Sequence, residues 1–188
     1  MYIEIEAKLK VDSLKKVARR LKARDAKFLR GAVHTDTYFD DAKKSLRKSD
    51  SALRIRRQLM DRGEPRHPGV ITFKGPRRKG RFKQRQEIQF GISDADIAEM
   101  FLAAIGYKKT LVYQKKRQVW RFGGCEVALD ELPFLGCFVE IEGPSEKKIA
   151  DVQKKLGLED LPHITESYAA LMQKQIRRRG RKSSKVFF

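Results

Sequence analysis

Neighbouring residues of a β-strand point to opposite faces, so a segment that alternates charge with hydrophobe presents one face to a core and the other to water or a ligand. Tyr2 to Val11 alternates in this way, with Glu4, Glu6, Lys8 and Lys10 on one face and Ile3, Ile5, Ala7, Leu9 and Val11 on the other. One such strand reads as an edge strand with a solvated outer face. The pattern recurs, however. Arg54 and Arg56 oppose Leu53 and Ile55, and Thr72 and Lys74 oppose Ile71 and Phe73. Lys83, Arg85 and Glu87 alternate between Phe82 and Ile88, Lys115 and Arg117 precede Trp120, and Glu140 and Glu142 bracket Ile141.

Period-two runs cover Tyr2 to Val11, Thr35 to Asp40, Leu53 to Leu59, Val70 to Lys74, Phe82 to Phe90, Val112 to Arg121, Glu126 to Asp130 and Phe138 to Glu142, which predicts about eight strands. Breakers stand between many of them: Gly63 with Pro65, Gly75 with Pro76, Gly123 with Gly124, and Pro133 with Gly136. Helical spacing appears at Asp12 to Arg24, where Asp12 or Ser13 caps a stripe of Leu14, Val17, Ala18 and Leu21. It appears again at Asp94 to Ile105 before Gly106, at Ser145 to Leu156 before Gly157, and from Pro162 through Tyr168 and Leu171 toward Arg177.

The charged face either looks at bulk water or lines the inside of a closed sheet whose apolar outside the helices wrap. About eight strands suffice to close a barrel around a small ligand, and the amphipathic helices need an apolar surface to cover. The expected fold is therefore mainly β (α+β), an eight-stranded antiparallel closed β-barrel with flanking α-helices. It would occupy residues 1–176, with 177–188 as a basic tail. The run Arg177 to Lys185 has no apolar periodicity and is expected to fray and to add little to the core.

With Lys plus Arg at 43 and Asp plus Glu at 24, the chain carries a formal charge of +19, so an anionic ligand is expected, nucleic acid or phosphate metabolite. No run of about eighteen apolar residues suggests a membrane span, and the charged N-terminus does not read as a signal peptide, so a cytoplasmic protein without membrane contact is expected. Cys125 and Cys137 have neither CxxC spacing nor a histidine pair nearby and read as reduced thiols. His34, His67 and His163 are scattered and read as structural or exposed. Met60 to Gly69 reads as a solvated loop at the barrel mouth.

Inside a barrel, Lys8, Arg54, Arg56, Lys74, Arg85, Lys115 and Arg117 would face Glu4, Glu6, Glu87, Asp130, Glu140 and Glu142. Neither set is tolerable alone at close quarters. Forked arginines and point-charge lysines suit phosphate oxygens, and hard carboxylate oxygens suit Mg²⁺ or Mn²⁺, so the pattern points to a polyphosphate bound with a divalent metal.

The same residues carry a resemblance. Glu4, Glu6 and Lys8 form an E-x-E-x-K signature that resembles the CYTH domain, the triphosphate tunnel metalloenzymes. In family order follow Thr37-Tyr38-Phe39-Asp40, Leu53-Arg54-Ile55-Arg56, Thr72-Phe73-Lys74-Gly75-Pro76, Arg85-Gln86-Glu87, Lys115-Lys116-Arg117, Leu129-Asp130 and Glu140-Ile141-Glu142, out to about Tyr168. The resemblance implies a triphosphate tunnel in which Glu4, Glu6, Glu140, Glu142 and Asp130 serve the metal and Arg54, Arg56, Lys74, Arg85, Lys115 and Arg117 bind substrate phosphates. Lys8, Tyr38 and Glu87 would be catalytic groups, Lys8 orienting the triphosphate, Tyr38 either positioning Lys8 or simply packing, and Glu87 working beside the metal. Gln89 stands where many members carry a second glutamate, which puts a metal or water role there in doubt.

The K-G-P segment and Leu129 to Glu142, with Leu135-Gly136, look most like class IV adenylyl cyclases. That implies conversion of ATP to cyclic AMP and pyrophosphate with Mg²⁺ or Mn²⁺. A triphosphatase acting on inorganic, nucleoside or thiamine triphosphate fits the same residues, as a monomer or homodimer. The rival from another class is a non-enzymatic polyphosphate or nucleic-acid binder using the basic tail, but Tyr38 is almost alone among aromatics on the charged face, and stacking is what such binding usually adds.

Overall fold

At Gly123 and Gly124 the chain turns with positive φ at both positions, 58° and 78°, the conformation that a two-residue hairpin favours and that glycine adopts without strain. That turn joins β6 (Lys108–Phe122) to β7 (Cys125–Leu132), and β8 (Gly136–Glu142) follows through a turn with Phe134 and Gly136 at positive φ. The structure, a computed structural model, describes residues 2–60, 69–78, 82–181 and 183–188. The expected loop at Met60 to Gly69 falls largely on 61–68, outside the described residues, as does His67.

The chain begins with β1 (Tyr2–Val11), α1 (Leu14–Lys22), β2 (Lys27–Asp40), the short α2 (Ser45–Lys48), β3 (Ala52–Met60), β4 (Gly69–Arg78), β5 (Lys83–Ile92) and α3 (Ala95–Ala104). After β8 come α4 (Glu146–Lys155), α5 (Tyr168–Arg178) and β9 (Lys185–Val186). The sheet order is β2-β3-β4-β5-β1-β8-β7-β6, and β2 pairs again with β6, which closes an eight-stranded antiparallel barrel as the alternation predicts. β9 adds a parallel strand on β6.

The long helices start where an oxygen side chain takes up a free backbone N–H. Ser13 accepts from Lys16, Asp94 from Asp96 and Ile97, Ser145 from Lys148, and Ser167 from Ala170. α1 and α4 lie over the apolar outside of β1, β7 and β8, where Leu9, Val127, Val139 and Ile141 are fully buried with Leu21 and Ile149. α3 covers β3 through Ala95 and Leu102 against Ile55 and Phe39.

Several local readings change. Gly75-Pro76 does not end a strand: β4 runs through it, and pairing steps from Lys74–Glu87 to Arg77–Arg85, so two residues on β4, Gly75 and Pro76, oppose one on β5, Gln86. That is a β-bulge, which absorbs a proline that could not donate to a regular ladder. β2 begins eight residues before Thr35, because a register shift between Phe28 and Arg30 breaks the parity that marks its second half. The fourth helix starts at Tyr168 rather than after Pro162. His163 and Ile164 instead lie along β1, with a bridge to Leu9 and an Ile164 N–H donating to the Lys8 carbonyl at 2.8 Å. Nor does the basic tail simply fray. Val186 is buried beside Leu111 and Tyr113, because three apolar residues follow the basic run and the lane beside β6 is vacant beyond the end of β7.

Candidate functional site

Pairing register decides what enters the lumen. Glu4 stands opposite Arg85, Glu6 opposite both Lys83 and Glu142, and Lys8 opposite Glu140. Arg54 lies opposite Tyr38 and Thr72, Arg56 opposite Asp36, Lys74 opposite Glu87, and Arg117 opposite Asp130. Lys115 pairs with His34. All the candidate residues read from the sequence therefore share the inner face. Glu4, Glu6, Lys8, Arg54, Arg85, Lys115 and Asp130 are buried there, and Arg56, Lys74, Glu87, Arg117, Glu140 and Glu142 are half-buried.

The inner charges neutralise one another in layers. Arg117 forks onto Asp130, with Nε 2.6 Å from Oδ1 and Nη2 2.5 Å from Oδ2, and also holds Glu140. Lys115 donates to Asp130 Oδ2 at 3.3 Å, and Lys8 lies 3.3 Å from Glu140 Oε1. Lys74 bridges Glu4 and Glu87, 2.7 Å from each, while Lys83 pairs with Glu6. Arg85 donates to the carbonyls of Gly75 and Asp50 at 2.8 and 2.6 Å and to Asp50 Oδ1 at 2.9 Å. The bulge at Gly75-Pro76 thus supplies one of the oxygens that aim Arg85.

Sequence reading missed Asp36, which is fully buried and takes a bidentate grip from Arg56, at 2.6 and 2.8 Å, with Arg54 at 3.7 Å. Its signal was available, because Asp36 shares parity with Tyr38. Of the two alternatives read for His34, structural or exposed, exposure is excluded: it is buried in the lumen, and its Nδ1 has no hydrogen-bond partner among the described residues. His163 does play a structural part, its Nε2 donating to Gln153 Oε1 at 3.0 Å.

One end of the lumen is apolar. Leu111, Tyr113, Leu132 and Phe138 continue the inward faces that carry Lys115, Asp130 and Glu140, and Tyr168 and Met172 of α5 pack among them. The Tyr168 ring lies 4.1 Å from Lys8 Nζ and 5.1 Å from that of Lys115, a geometry in which the ring face attracts both cations. Lys8 also donates to the Glu166 carbonyl at 3.0 Å. Tyr38, expected beside Lys8 or simply packed, stacks on Tyr113 with the hydroxyls 3.4 Å apart. Tyr168 is the aromatic that Lys8 meets.

Enclosure perturbs the titrations. Burial pushes the Lys115 ammonium down to about 7, helped by the Arg117 charge and only partly opposed by Asp130. Burial likewise lowers Lys8 against the pull of Glu140. His34 is held far below its ordinary range by burial and by Arg56, Lys115 and Arg117, so it is neutral. For Glu140 burial alone would favour the acid, but Arg117, Lys8 and Lys115 outweigh it and keep the carboxylate charged.

Beside α5 the lumen opens into a cleft of about 840 Å³, walled by Tyr38, Leu46, Leu111 and Ile176 and reaching Lys74, Lys83 and Arg85. As for a metal, Glu4, Glu6, Glu140 and Glu142 supply oxygen donors from the adjacent strands β1 and β8. Among the described residues no group of three acid, histidine or cysteine side chains stands arranged to hold a metal ion by itself. That donor set fits a hard cation such as Mg²⁺ or Mn²⁺, which takes one or two carboxylates and completes its sphere with water and substrate phosphate.

The chain is thus a closed barrel whose inner face interleaves carboxylates, lysines and arginines. The chain belongs to the CYTH domain family, whose profile matches residues 2–168. A candidate adenylate cyclase of Methanocaldococcus jannaschii is 31% identical over 153 residues, 81% of each chain. The PH1819 protein of Pyrococcus horikoshii superposes with a TM-score of 0.77 at 27% identity, covering 91% of this chain and 98% of that one. A candidate adenylyl cyclase of Hippeastrum, described with a dominant triphosphatase activity, shares the fold with a TM-score of 0.67 at 19% identity, over 96% and 97% of the two chains. Among the described residues no helix is long and apolar enough to cross a membrane.

Proposed function

We propose that the chain is a divalent-metal-dependent enzyme that takes ATP into the lumen and converts it to cyclic AMP and pyrophosphate. The observation that carries this reading is the enclosed wall on which cations for a triphosphate and carboxylates for a metal interleave. The cleft beside α5 supports an organic triphosphate over an inorganic one, since its apolar wall of Leu46, Leu111 and Ile176 gives a nucleoside something to lie against.

Arg54, Arg56, Lys74, Arg85, Lys115 and Arg117 would exchange their present carboxylate and carbonyl partners for phosphate oxygens. Lys8, fixed by Glu140, Tyr168 and the Glu166 carbonyl, would orient the chain of phosphates. Glu4, Glu6, Glu140 and Glu142 would hold Mg²⁺ or Mn²⁺, with Glu87 beside them. Asp130, already clasped by Arg117 and Lys115, would serve the metal from behind by aiming those two cations. The bound cation would polarise the phosphoryl group and offset charge on the departing pyrophosphate. In the reaction the ribose 3′ oxygen bonds to the α-phosphorus, the bond from that phosphorus to the bridging oxygen breaks, and the hydroxyl proton leaves to solvent. The lumen's preset charges need no rearrangement as charge develops on the leaving oxygens.

Hydrolysis is the second reading, with water attacking a terminal phosphate, and the Hippeastrum relative's described activity favours it. Release of cyclic AMP, pyrophosphate and phosphate from ATP, tripolyphosphate and thiamine triphosphate, with Mg²⁺ or Mn²⁺, separates the two. Equal yields of cyclic AMP and pyrophosphate are expected from ATP. Phosphate from any of the substrates without cyclic AMP would replace the cyclase with a triphosphatase, and inertness toward all three, with a salt-sensitive gel shift that survives Glu4→Ala, would leave a nucleic-acid binder.

A further inference from the structure

α5 ends on a flank of the barrel where cations stand without carboxylates. From Arg177 to Phe188 the chain holds six lysines and arginines and no acid. Among the described residues Lys174 is paired, with Glu166, while Arg177, Arg178, Arg179, Arg181 and Lys185 are exposed and form no ion pair. The lumen does not account for them. They lie beyond residue 168, where the family match ends, and of the five only Arg177 borders the cleft that leads inward.

Three exposed rings stand among these cations. Phe134, Phe187 and Phe188 are 37%, 46% and 51% exposed. Arg179 and Arg181 lie over the Phe134 ring, 4.4 and 5.2 Å from its centre, and Lys116 lies 4.2 Å from that of Phe188. The fold gathers these groups on one side. Phe134 occupies the turn between β7 and β8, where Gln175 of α5 donates to its carbonyl at 3.5 Å. Lys116 points outward from β6, between the inward Lys115 and Arg117, and stands opposite Glu131 of β7, just ahead of that turn. β9 lays Phe187 and Phe188 along β6, because Val186 stands opposite Tyr113 and is buried there. Held in this way, the two phenylalanines lie against the wall at the level of the cations instead of projecting from it.

We propose that this flank binds single-stranded nucleic acid, with bases stacked on Phe187, Phe188 and the guanidinium planes over Phe134, and with phosphates held by the unpaired cations. Free cations interleaved with flat rings are the combination that follows a phosphate backbone and stacks unpaired bases whatever their sequence. Stacking rings, scarce on the charged inner face, are grouped instead on this outer one. An acidic peptide would call for the cations without the rings. A bilayer would call for rings that reach beyond the cations, whereas Val186, packed on Leu111 and Tyr113, keeps them against the barrel. A duplex hides the faces of its bases, so a single strand is preferred. Binding here does not depend on which reaction the lumen carries out, and an active enzyme can carry this surface as well.

Fluorescence anisotropy on the whole chain tests this with oligo(U) and oligo(dT) of about 16 nucleotides, the upper site size of such a groove, labelled at the 5′ end and free of terminal phosphate. Both should bind about tenfold or more tighter than a duplex or an abasic strand of the same length, and the tighter of the two names the preferred sugar. Phe187→Ala with Phe188→Ala should weaken binding about tenfold or more at unchanged salt dependence. Arg179→Ala with Arg181→Ala should flatten the slope of log K against log salt by about 1.4, the share of two phosphate contacts on a single strand. The Val112 amide, which donates to the Ser184 carbonyl, should keep its protection from hydrogen exchange in both variants, showing β9 in place. Should β9 detach in the first pair, the second still decides. Arg117→Met, a change of the inner wall, should leave the affinity unchanged. An abasic strand or a duplex bound as tightly as the single strands overturns the proposal, as does binding that survives both double substitutions or that Arg117→Met abolishes. Binding to phosphatidylserine vesicles that the phenylalanine substitutions abolish, with the oligonucleotides left unbound, would overturn it in favour of a bilayer.

Discussion

The inner and outer walls of the barrel are built from the same strands and are buried to similar depth, yet they obey opposite chemistry. On β1, Glu4, Glu6 and Lys8 face in at 9%, 5% and 2% exposure, and Ala7 and Leu9 face out at 2% and 0%. The outer wall is held by removal of apolar surface from water, which is non-directional and tolerates exchange of similar volumes. The inner wall consists of buried ion pairs, whose attraction roughly balances the cost of dehydrating them, so it contributes little net stability. Burial alone therefore does not separate core from site. What separates them is what a substitution removes: stability on one wall, ligand recognition on the other.

The largest expected effect tests the outer wall. Ile141→Ala should leave a cavity among Leu9, Val127 and Ile149 and destabilise the fold by about 4 kcal/mol. For a chain of this size the melting point should fall by roughly 10 °C. Calorimetry checks the shift, and kcat/KM of the folded fraction should stay unchanged. A loss of activity without a loss of stability would erase the distinction between the walls.

Arg117→Met is the matching change inside. Asp130 keeps Lys115 and Glu140 keeps Lys8, so neither carboxylate is left without a cation. Stability should drop by less than about 2 kcal/mol, well under the penalty for orphaning a buried charge. Turnover of the triphosphate should fall about 10²-fold to 10³-fold, the usual effect of deleting a donor that meets developing charge. Unfolding curves and steady-state kinetics on the same preparation decide it, and a large destabilisation with ordinary turnover would move Arg117 to the structural side.

A smaller effect comes from Lys115, whose ammonium burial lowers to about 7 from 10.5. The folded chain releases this proton earlier than the unfolded chain, so the destabilising contribution is full below about pH 7 and is relieved as pH rises from there toward 10.5. Phosphate affinity has the opposite slope, because the neutral amine no longer attracts it. Between pH 7 and 9, triphosphate affinity should fall up to tenfold per unit while stability rises, and Lys115→Arg should flatten both. Calorimetric binding and melting series across that range provide the measurement. Parallel slopes would show that Lys115 does not meet the ligand.

The two walls were not equally legible in the sequence. Strand parity places every candidate from Glu4 to Glu142 on one face, because side chains alternate along each unbroken stretch of strand, and the glycine pair at 123 and 124 marks its hairpin by backbone chemistry alone. His34 escaped because parity on β2 is broken at Phe28 and Arg30, so the strand looked shorter than it is, whereas Asp36 lies inside the run from Thr35 to Asp40 and shares the parity of Tyr38. Asp50 escaped for another reason. It reaches Arg85 from the corner after α2, held at a positive φ of 52°, and nothing in local periodicity reports a contact between residues 35 apart. The bulge at Gly75-Pro76 was visible as a breaker, but whether a breaker ends a strand or bends it depends on the neighbour across the ladder.

The C-terminal strand lies between the two walls and should show the smallest effect. Lys185–Val186 fills the lane beside β6 that β7 vacates, with the Val112 N–H donating to the Ser184 carbonyl at 2.9 Å and Val186 buried against Leu111 and Tyr113. Burying one valine contributes about 2 kcal/mol, part of which goes to ordering a chain end. Val186→Asp would set an unpaired carboxylate in an apolar place, so β9 should detach rather than bury it. The net loss should be about 1 kcal/mol, with the Val112 amide losing its protection from hydrogen exchange while the amides of β1 and β8 keep theirs. Turnover should hardly change, since Leu111 and Tyr113 keep Tyr168 and Met172 of α5 against them. If turnover falls along with Val112 protection, β9 supports the inner wall through α5, and the division between the walls extends to the last residues of the chain.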